Sequence, residues 1–180
     1  MNTYIAFLRG INVSGKNKIP MATLREVLAS TGLEQVQTYI QSGNVIFQSS
    51  EDNIEGLENK IHQAIKNHFT FEIPVLVKTP KLLQELFDAC PFSQDKKENS
   101  YFILLFDVPT SENIAEVSEI SYPNETFFIT DYCVYFHSAV GYGRAKCNNN
   151  FFERKLKITA TARNYKTMVK LLELCKQTGA

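Results

Sequence analysis

The feature that most constrains the fold is the regular change of hydrophobic periodicity along residues 3–78. Alternating apolar residues suit a half-buried strand, and apolar residues three or four apart suit an amphipathic helix. The pattern predicts strands over 3–9, 35–41, 44–49 and 72–78, and helices over 21–31 and 53–69. Ser42 and Gly43 predict a two-residue hairpin loop between the second and third strands. The resulting order, β-α-β-β-α-β, is that of the ferredoxin-like motif.

A second round of strands and helices follows. The sequence predicts a short helix from Pro80 to Pro91, a linker or mobile loop to residue 100, strands over 101–108, 125–130 and 132–138, and helices over 111–120, 149–157 and 164–177. Asn164 is expected to cap the last helix, and Asp52 with Glu55 predicts a capping box before residue 53. The predicted fold is therefore α+β, with two ferredoxin-like halves (residues 1–80 and 81–180) in one compact body and basic C-terminal helices.

The first loop has the composition of an anion site. A strand runs into a segment with two glycines and three cations, and a helix then begins at Met21; the cations are Arg9, Lys16 and Lys18. Such an arrangement turns backbone amides toward a phosphate. Residues 10–16 fit G-x-x-x-x-G-K, but Asn17 stands where a P-loop needs Ser or Thr for Mg²⁺. The loop predicts anion binding outside the P-loop class, and simple turns at the glycines remain an alternative.

Three separated motifs carry a family resemblance. They are the first loop, the hairpin segment TYIQSGNVIF at residues 38–47 and the segment TARNYKT at residues 161–167. Together they resemble the bacterial domain of unknown function numbered 1697, over essentially the whole chain. The resemblance implies two ferredoxin-like halves joined in one body. It implies no particular activity, because the family has no agreed reaction.

The net charge of zero conceals a partition along the chain. Residues 51–138 hold six cations and fifteen acids, whereas residues 139–180 hold nine cations and two acids. Basic stretches attract polyanions through screened fields, so the C-terminal region is a candidate for nucleic-acid binding. The acidic middle and the basic end could equally neutralise each other. The sequence leaves both readings open.

Several classes of protein are disfavoured. No run approaches the ~18 apolar residues of a membrane span, and four cysteines without C-x-x-C predict reduced thiols in a cytoplasmic protein. The three histidines lack metal-site spacing, so no metal or cofactor is predicted. Asn44 and Ile46 occupy the positions where an RNA-recognition domain stacks bases, which disfavours that class. Cys147, with Arg144 and Lys146 within three residues, is the candidate for a reactive thiol, and the sequence leans away from an enzyme.

Polar and cationic turns remain as candidate ligand contacts. They are Arg9, Asn12, Lys16 and Lys18 in the first loop, Ser42 and Asn44 at the hairpin, Arg144 and Lys146 after a glycine turn, and Arg163, Asn164 and Thr167 at the last helix. Their chemistry predicts a cytoplasmic protein that binds an anionic, phosphorylated ligand. The alternatives are a protein-interaction module, a nucleic-acid binder, and a phosphate-handling enzyme that uses Arg9 and Lys16. Convergence of the four turns does not follow from the sequence.

Overall fold

A computed structural model describes residues 1–178, which divide into two compact units. The first unit is Met1–Gln84 together with residues 170–178, and the second is Glu85–Val169. Each contains one four-stranded antiparallel sheet, so the mixed α+β class predicted from the sequence is confirmed.

In the first unit, six elements follow one another in the order β-α-β-β-α-β. They are β1 (Asn2–Leu8), α1 (Met21–Ala29), β2 (Glu34–Tyr39), β3 (Asn44–Ser49), α2 (Ile54–Phe69) and β4 (Val75–Lys78). The strands lie in the order β2-β3-β1-β4, with Tyr4 of β1 opposite Phe47 of β3. Helix α3 (Pro80–Asp88) follows, and the division between the two units passes through it.

The apolar residues of α2 lie on one face of the helix. Leu57, Ile61 and Ile65 recur every fourth residue and are fully buried against the sheet core. The helix begins after Asn53, whose side chain accepts a hydrogen bond from the amide of Gly56. The predicted capping box at Asp52 is therefore wrong by one residue, because an Asp and an Asn stand side by side and either can cap.

The β2–β3 hairpin closes through a longer loop than the two residues that the sequence predicts. Tyr39 pairs with Asn44, so the loop is residues 40–43. Ile40 has a φ of 50° and Gly43 a φ of 83°. The chain reverses through these two left-handed residues, which is why the turn needs four positions.

The second unit repeats the same order of elements. They are β5 (Ser100–Leu105), α5 (Ser111–Ser118), β6 (Glu125–Ile129), β7 (Cys133–Ser138), α6 (Asn149–Leu156) and β8 (Ala160–Asn164), preceded by α4 (Gln94–Glu98) and followed by α7 (Tyr165–Thr178). The strand order is β6-β7-β5-β8, and Tyr101 of β5 lies opposite both Phe136 of β7 and Asn164 of β8.

One prediction for this half is wrong, because the expected linker contains the short helix α4. The segment before the last helix, for which the sequence predicts no element, is strand β8. Strand β8 pairs only with β5 at the edge of the sheet, and its small residues Ala160 and Ala162 give no apolar alternation. Asn164 ends this strand and accepts a hydrogen bond from the amide of Thr167, so its predicted capping role is confirmed.

Side chains on both faces of each sheet are buried. In the first sheet, Phe47 belongs to the helix-covered core, and Ile46 on the opposite face is also fully buried. In the second sheet, the buried ring of Phe102 stacks on Phe87. Bases therefore find no open aromatic platform on β3, as expected from the sequence. Within residues 1–178, no helix is both long and apolar enough to cross a membrane.

Candidate functional site

The loop between β1 and α1 is a miniature hairpin. The amide of Asn12 donates to the Asn17 carbonyl (3.1 Å), and the amide of Lys16 donates to the Val13 carbonyl (2.9 Å). At the tip, Ser14 and Gly15 have φ values of 50° and 75°, which is the pattern of a type I′ turn. The amides of Asn12 and Lys16 both donate to carbonyls within the hairpin, so the segment does not form a P-loop cradle.

The Asn12 side chain joins this hairpin to its surroundings. Its Nδ2 donates to the carbonyls of Ile19 and Gln41, both at 3.0 Å, and its Oδ1 accepts from the Ile19 amide at 2.9 Å. The contact with Gln41 links the first loop to the loop between β2 and β3. Two of the four candidate turns are thereby brought together, and Asn12 acts as the clamp between them.

The β2–β3 loop is itself fixed from within. Asn44 is fully buried, and its amide donates to the Tyr39 carbonyl and to the Ser42 hydroxyl, each at 3.0 Å. The Gly43 carbonyl accepts from the Leu8 amide at 2.8 Å. A Cβ at Gly43 would lie 2.7 Å from the Leu8 carbonyl oxygen, so glycine is required for this approach. Asn44 therefore shapes the loop, while Ser42 is exposed beside it.

A cavity of about 420 Å³ opens at the start of α1. It is lined by the Asn12 clamp, the hairpin turn and the helix start, with Lys18 and Gln41 among the lining residues. Pro20 precedes the helix and supplies no side-chain cap, and the first turn contains no acidic residue. The first amides of a helix have no carbonyl partner within it, and they carry partial positive charge. Lys18 is the only ionisable residue that lines this cavity.

The other cations of the first loop lie at different positions. Lys16 is exposed on the outer strand of the hairpin, outside the cavity lining. Arg9 is half-buried, and its amide donates to the Pro74 carbonyl at 3.0 Å. Of the first-loop candidates, Asn12 and Lys18 therefore lie at the cavity. The uncapped helix start was missed from the sequence, although a proline in place of Ser, Thr, Asp or Asn before the helix is its signal.

The remaining candidates belong to the second unit and have mixed environments. Arg163 is 6% exposed and donates through Nη1 to the Thr161 hydroxyl at 2.7 Å. Thr167 is also buried, whereas Arg144 is exposed in a 3₁₀ turn. The ammonium of Lys146 lies over a tyrosine ring, 4.9 Å from the centre.

Part of the basic C-terminal charge is balanced locally. Lys155 lies 3.4 Å from the carboxylate of Glu116, which comes from the acidic middle of the sequence. The carboxylate of Glu125, from the same region, accepts hydrogen bonds from the backbone amides of Lys146 and Cys147. The ion pair of Lys155 with Glu116 joins the two charged stretches directly, whereas the bonds to Glu125 come from backbone amides and leave the charge of Lys146 unbalanced by that carboxylate.

The environment of Cys147 opposes a reactive thiol. The side chain is fully buried, and burial together with the hydrogen bond and charge of Glu125 raises the pKa of this thiol to about 12. The thiolate needed for nucleophilic chemistry is therefore disfavoured. Throughout the described part of the chain, no group of three metal-ligating side chains comes together. Burial, followed by the charge of Lys96, lowers the pKa of His137.

Comparison with known proteins identifies the family. Residues 1–135 match the family described as Protein of unknown function (DUF1697). The chain belongs to this family. It is also similar to a solved structure, the conserved bacterial protein SP0830 from Streptococcus pneumoniae, with 26% identity and a TM-score of 0.76. The similarity covers 96% of this chain and 98% of that one. No match was found among curated proteins.

Proposed function

We propose that this protein binds a small phosphorylated ligand in the cavity at the start of α1. The observation that carries the proposal is the opening of an uncapped helix N-terminus into a cavity with Lys18 in its wall. Helix amides and a nearby cation are the groups that recognise a phosphate in many proteins. These groups bind an anion without transferring a proton, so the proposal is one of binding rather than catalysis.

The loop geometry supports a site that is formed before the ligand arrives. The Asn12 clamp fixes the distance between the miniature hairpin and the β2–β3 loop. The I′ turn at Ser14 and Gly15 holds the hairpin itself. A pre-organised site loses less conformational entropy on binding than a flexible loop does.

The proposal includes the wider setting of the protein. The repeated strand order supports the interpretation of two ferredoxin-like halves, residues 1–80 and 81–180. The four cysteines are free thiols, which suits the bacterial cytoplasm, where phosphorylated small molecules are abundant.

The test is isothermal titration of inorganic phosphate and of sugar phosphates into the wild-type protein and two variants of one residue. Proline suits the first position of a helix and removes its amide hydrogen, so Met21→Pro deletes one proposed donor. Met21→Ala trims the same side chain and retains that donor. We expect Met21→Pro to weaken binding by about tenfold relative to Met21→Ala. Equal affinities for the two variants would contradict the use of the helix amides.

Lysine substitutions test the second part of the site. Lys18→Ala should weaken phosphate binding by about tenfold because it removes a charged donor from the cavity wall. Lys16→Ala is the matched control, since Lys16 is exposed on the same hairpin but does not line the cavity. Similar losses from both variants would show only a general effect of net charge.

A second candidate function is contact with a protein partner through the two loop tips. Val13 is 57% exposed and Ile40 is 50% exposed, and each lies next to one end of the Asn12–Gln41 hydrogen bond. Ile40 is β-branched and has a φ of 50°, a conformation that such residues seldom adopt. If this function is correct, Val13→Ser with Ile40→Ser should abolish capture of a partner and leave phosphate titrations unchanged.

A further inference from the structure

A second cavity lies wholly within the second unit. Strand β5 is antiparallel to both β7 and β8, so the start of β5 and the ends of β7 and β8 lie together. They form one edge of the sheet, an edge made of strand ends rather than of an outer strand. Helix α7 begins at that edge directly after β8. A cavity of about 620 Å³ opens there, within the range of sites for small molecules.

One wall of this cavity is aromatic and firmly held. The rings of Tyr101 and Tyr142 stack with their centres 4.0 Å apart and their planes at 19°. The Tyr142 hydroxyl accepts from the Asn149 amide at 2.9 Å, and its ring packs edge-on against Phe136. Both tyrosines are only half-buried, so part of the stacked pair faces the cavity. Such a wall suits stacking by a planar ring.

The opposite side of the cavity is polar. Asn164 caps α7 through the Thr167 amide, which leaves the amides of Tyr165 and Lys166 at the open first turn. The exposed Lys166 adds a positive charge there. These groups suit a phosphate.

Two further groups point to a ligand larger than a phosphate ion. The Oγ of Ser138, which lines the cavity, is buried and has no hydrogen-bond partner among the described residues. Buried hydroxyls in native proteins normally have a partner, and because this oxygen is closed to solvent where it stands, it gains one from a ligand when the side chain rotates toward the cavity. Glu98 also lines the cavity, and its carboxylate accepts from the Gln94 amide at 2.8 Å. A carboxylate disfavours a bare anion and favours a ligand that also carries hydroxyl groups.

We propose that this edge cavity is a separate site for a nucleoside monophosphate. The base stacks on the Tyr101–Tyr142 wall, the ribose hydroxyls meet Glu98 and Ser138, and the phosphate meets the start of α7 with Lys166. The site is distinct in sequence and composition from the cavity at α1, and it does not depend on the function proposed there.

The first unit contains a matched cavity that serves as a control. It lies where β1 starts and β4 ends, is about 610 Å³ in volume, and includes Lys81 and Cys175 in its lining. Thr79 caps α3 as Asn164 caps α7, by accepting from the Leu82 amide at 3.2 Å. Pro80 then stands where the second unit has Tyr165, and a proline offers no amide hydrogen.

The experiment titrates adenosine monophosphate, adenosine and inorganic phosphate into the full chain by calorimetry. We expect adenosine monophosphate to bind more tightly than either part alone, and Lys166→Ala to weaken it by about tenfold. Lys81→Ala should leave its affinity unchanged, because Lys81 lies in the matched cavity of the first unit. Absence of binding by adenosine monophosphate, or its loss only in Lys18→Ala, would overturn the proposal. Equal affinities for phosphate and adenosine monophosphate would overturn the assignment of the aromatic wall.

Ser138→Ala separates ligand recognition from folding. Removing a buried hydroxyl that has no protein partner should leave the melting temperature of the free protein unchanged or higher. The same change should weaken binding of adenosine monophosphate by about threefold. A fall in melting temperature with unchanged affinity would show a structural role for this hydroxyl and count against the site.

Discussion

The two units share a strand order but lengthen different connections. In the first unit the chain from β1 to α1 occupies residues 9–20, and the equivalent connection of the second unit occupies only 106–110. The relation reverses between the third strand and the second helix, where residues 50–53 correspond to 139–148. Each long connection lines a cavity, the first at α1 and the second at the edge where β5 begins. Each long connection therefore supplies lining residues that the other unit lacks at the equivalent place, although the first unit also has a cavity where β1 starts.

The largest expected effects come from the equivalent core rings Phe47 and Phe136. Both are fully buried, and each faces a tyrosine on the neighbouring strand. Substitution by alanine should lower the free energy of unfolding by about 3–5 kcal/mol in each case. Hydrogen exchange would locate the damage: we expect Phe47→Ala to lower protection in β1–β4 and Phe136→Ala in β5–β8. Loss of protection across both sheets from either change would show that the units unfold together.

Alanine substitutions at Gly43 and Gly141 should lower the free energy of unfolding by smaller and unequal amounts. Gly43→Ala places a Cβ against the Leu8 carbonyl and retains a φ of 83°, so we expect a loss of about 3 kcal/mol. Gly141 has a similar φ of 87° with open space around it, so Gly141→Ala should cost about 1 kcal/mol from the backbone alone. Denaturant unfolding measures both. Equal losses would mean that the contact with Leu8 has little energetic weight.

Removal of the two helix caps tests the equivalence of α3 and α7. Thr79→Ala and Asn164→Ala each delete a side-chain acceptor for an amide of the first turn. Each should lower the free energy of unfolding by about 1 kcal/mol. Thermal melts would measure both losses. Thr110→Ala, which removes the exposed cap of α5, provides a third variant of the same kind. An unchanged melting temperature for Asn164→Ala would indicate that water replaces the cap.

The smallest predicted effects concern two buried thiols at high pH. Burial raises the pKa of Cys175 to about 11, and burial with Glu125 raises that of Cys147 to about 12. An unfolded thiol loses its proton near its ordinary pKa of 9.0, while the folded thiol keeps it. Stability from these groups is therefore complete below pH 9 and declines as the pH rises toward 11 or 12. Unfolding at pH 8 and pH 10 should show a smaller decline in Cys147→Ala than in the wild type, and an identical decline would contradict the shift.

Strong periodicity made much of the fold predictable from the sequence. The four-residue spacing in α2 specifies both the element and its buried face, whereas β3 is a short apolar run that is buried on both faces. Strand β8 was not predicted because its residues Ala160 to Asn164 are small or polar. Only its pairing with β5 makes this segment a strand. The cap at Asn53 was displaced by one position because its neighbour Asp52 has the same capacity.

The candidate site was predictable in composition but not in geometry. The cations and glycines of the first loop are evident in the sequence, yet the meeting of Asn12 with Gln41 requires that β1 lies next to β3. That neighbourhood is set by long-range pairing, which local patterns do not encode. The sequence also does not show that Asn44 and Thr167 are buried. Only their burial shows that they are residues within the fold rather than residues that face a ligand.

The clamp formed by Asn12 has a consequence for the speed of binding. If the cavity at α1 binds an anion as proposed, its walls are already joined by the Asn12–Gln41 bond and need no closing motion before the anion enters. The observed association rate should then rise in proportion to ligand concentration and show no plateau from a preceding conformational step. Residence time would be governed by the strength of the anion contacts alone.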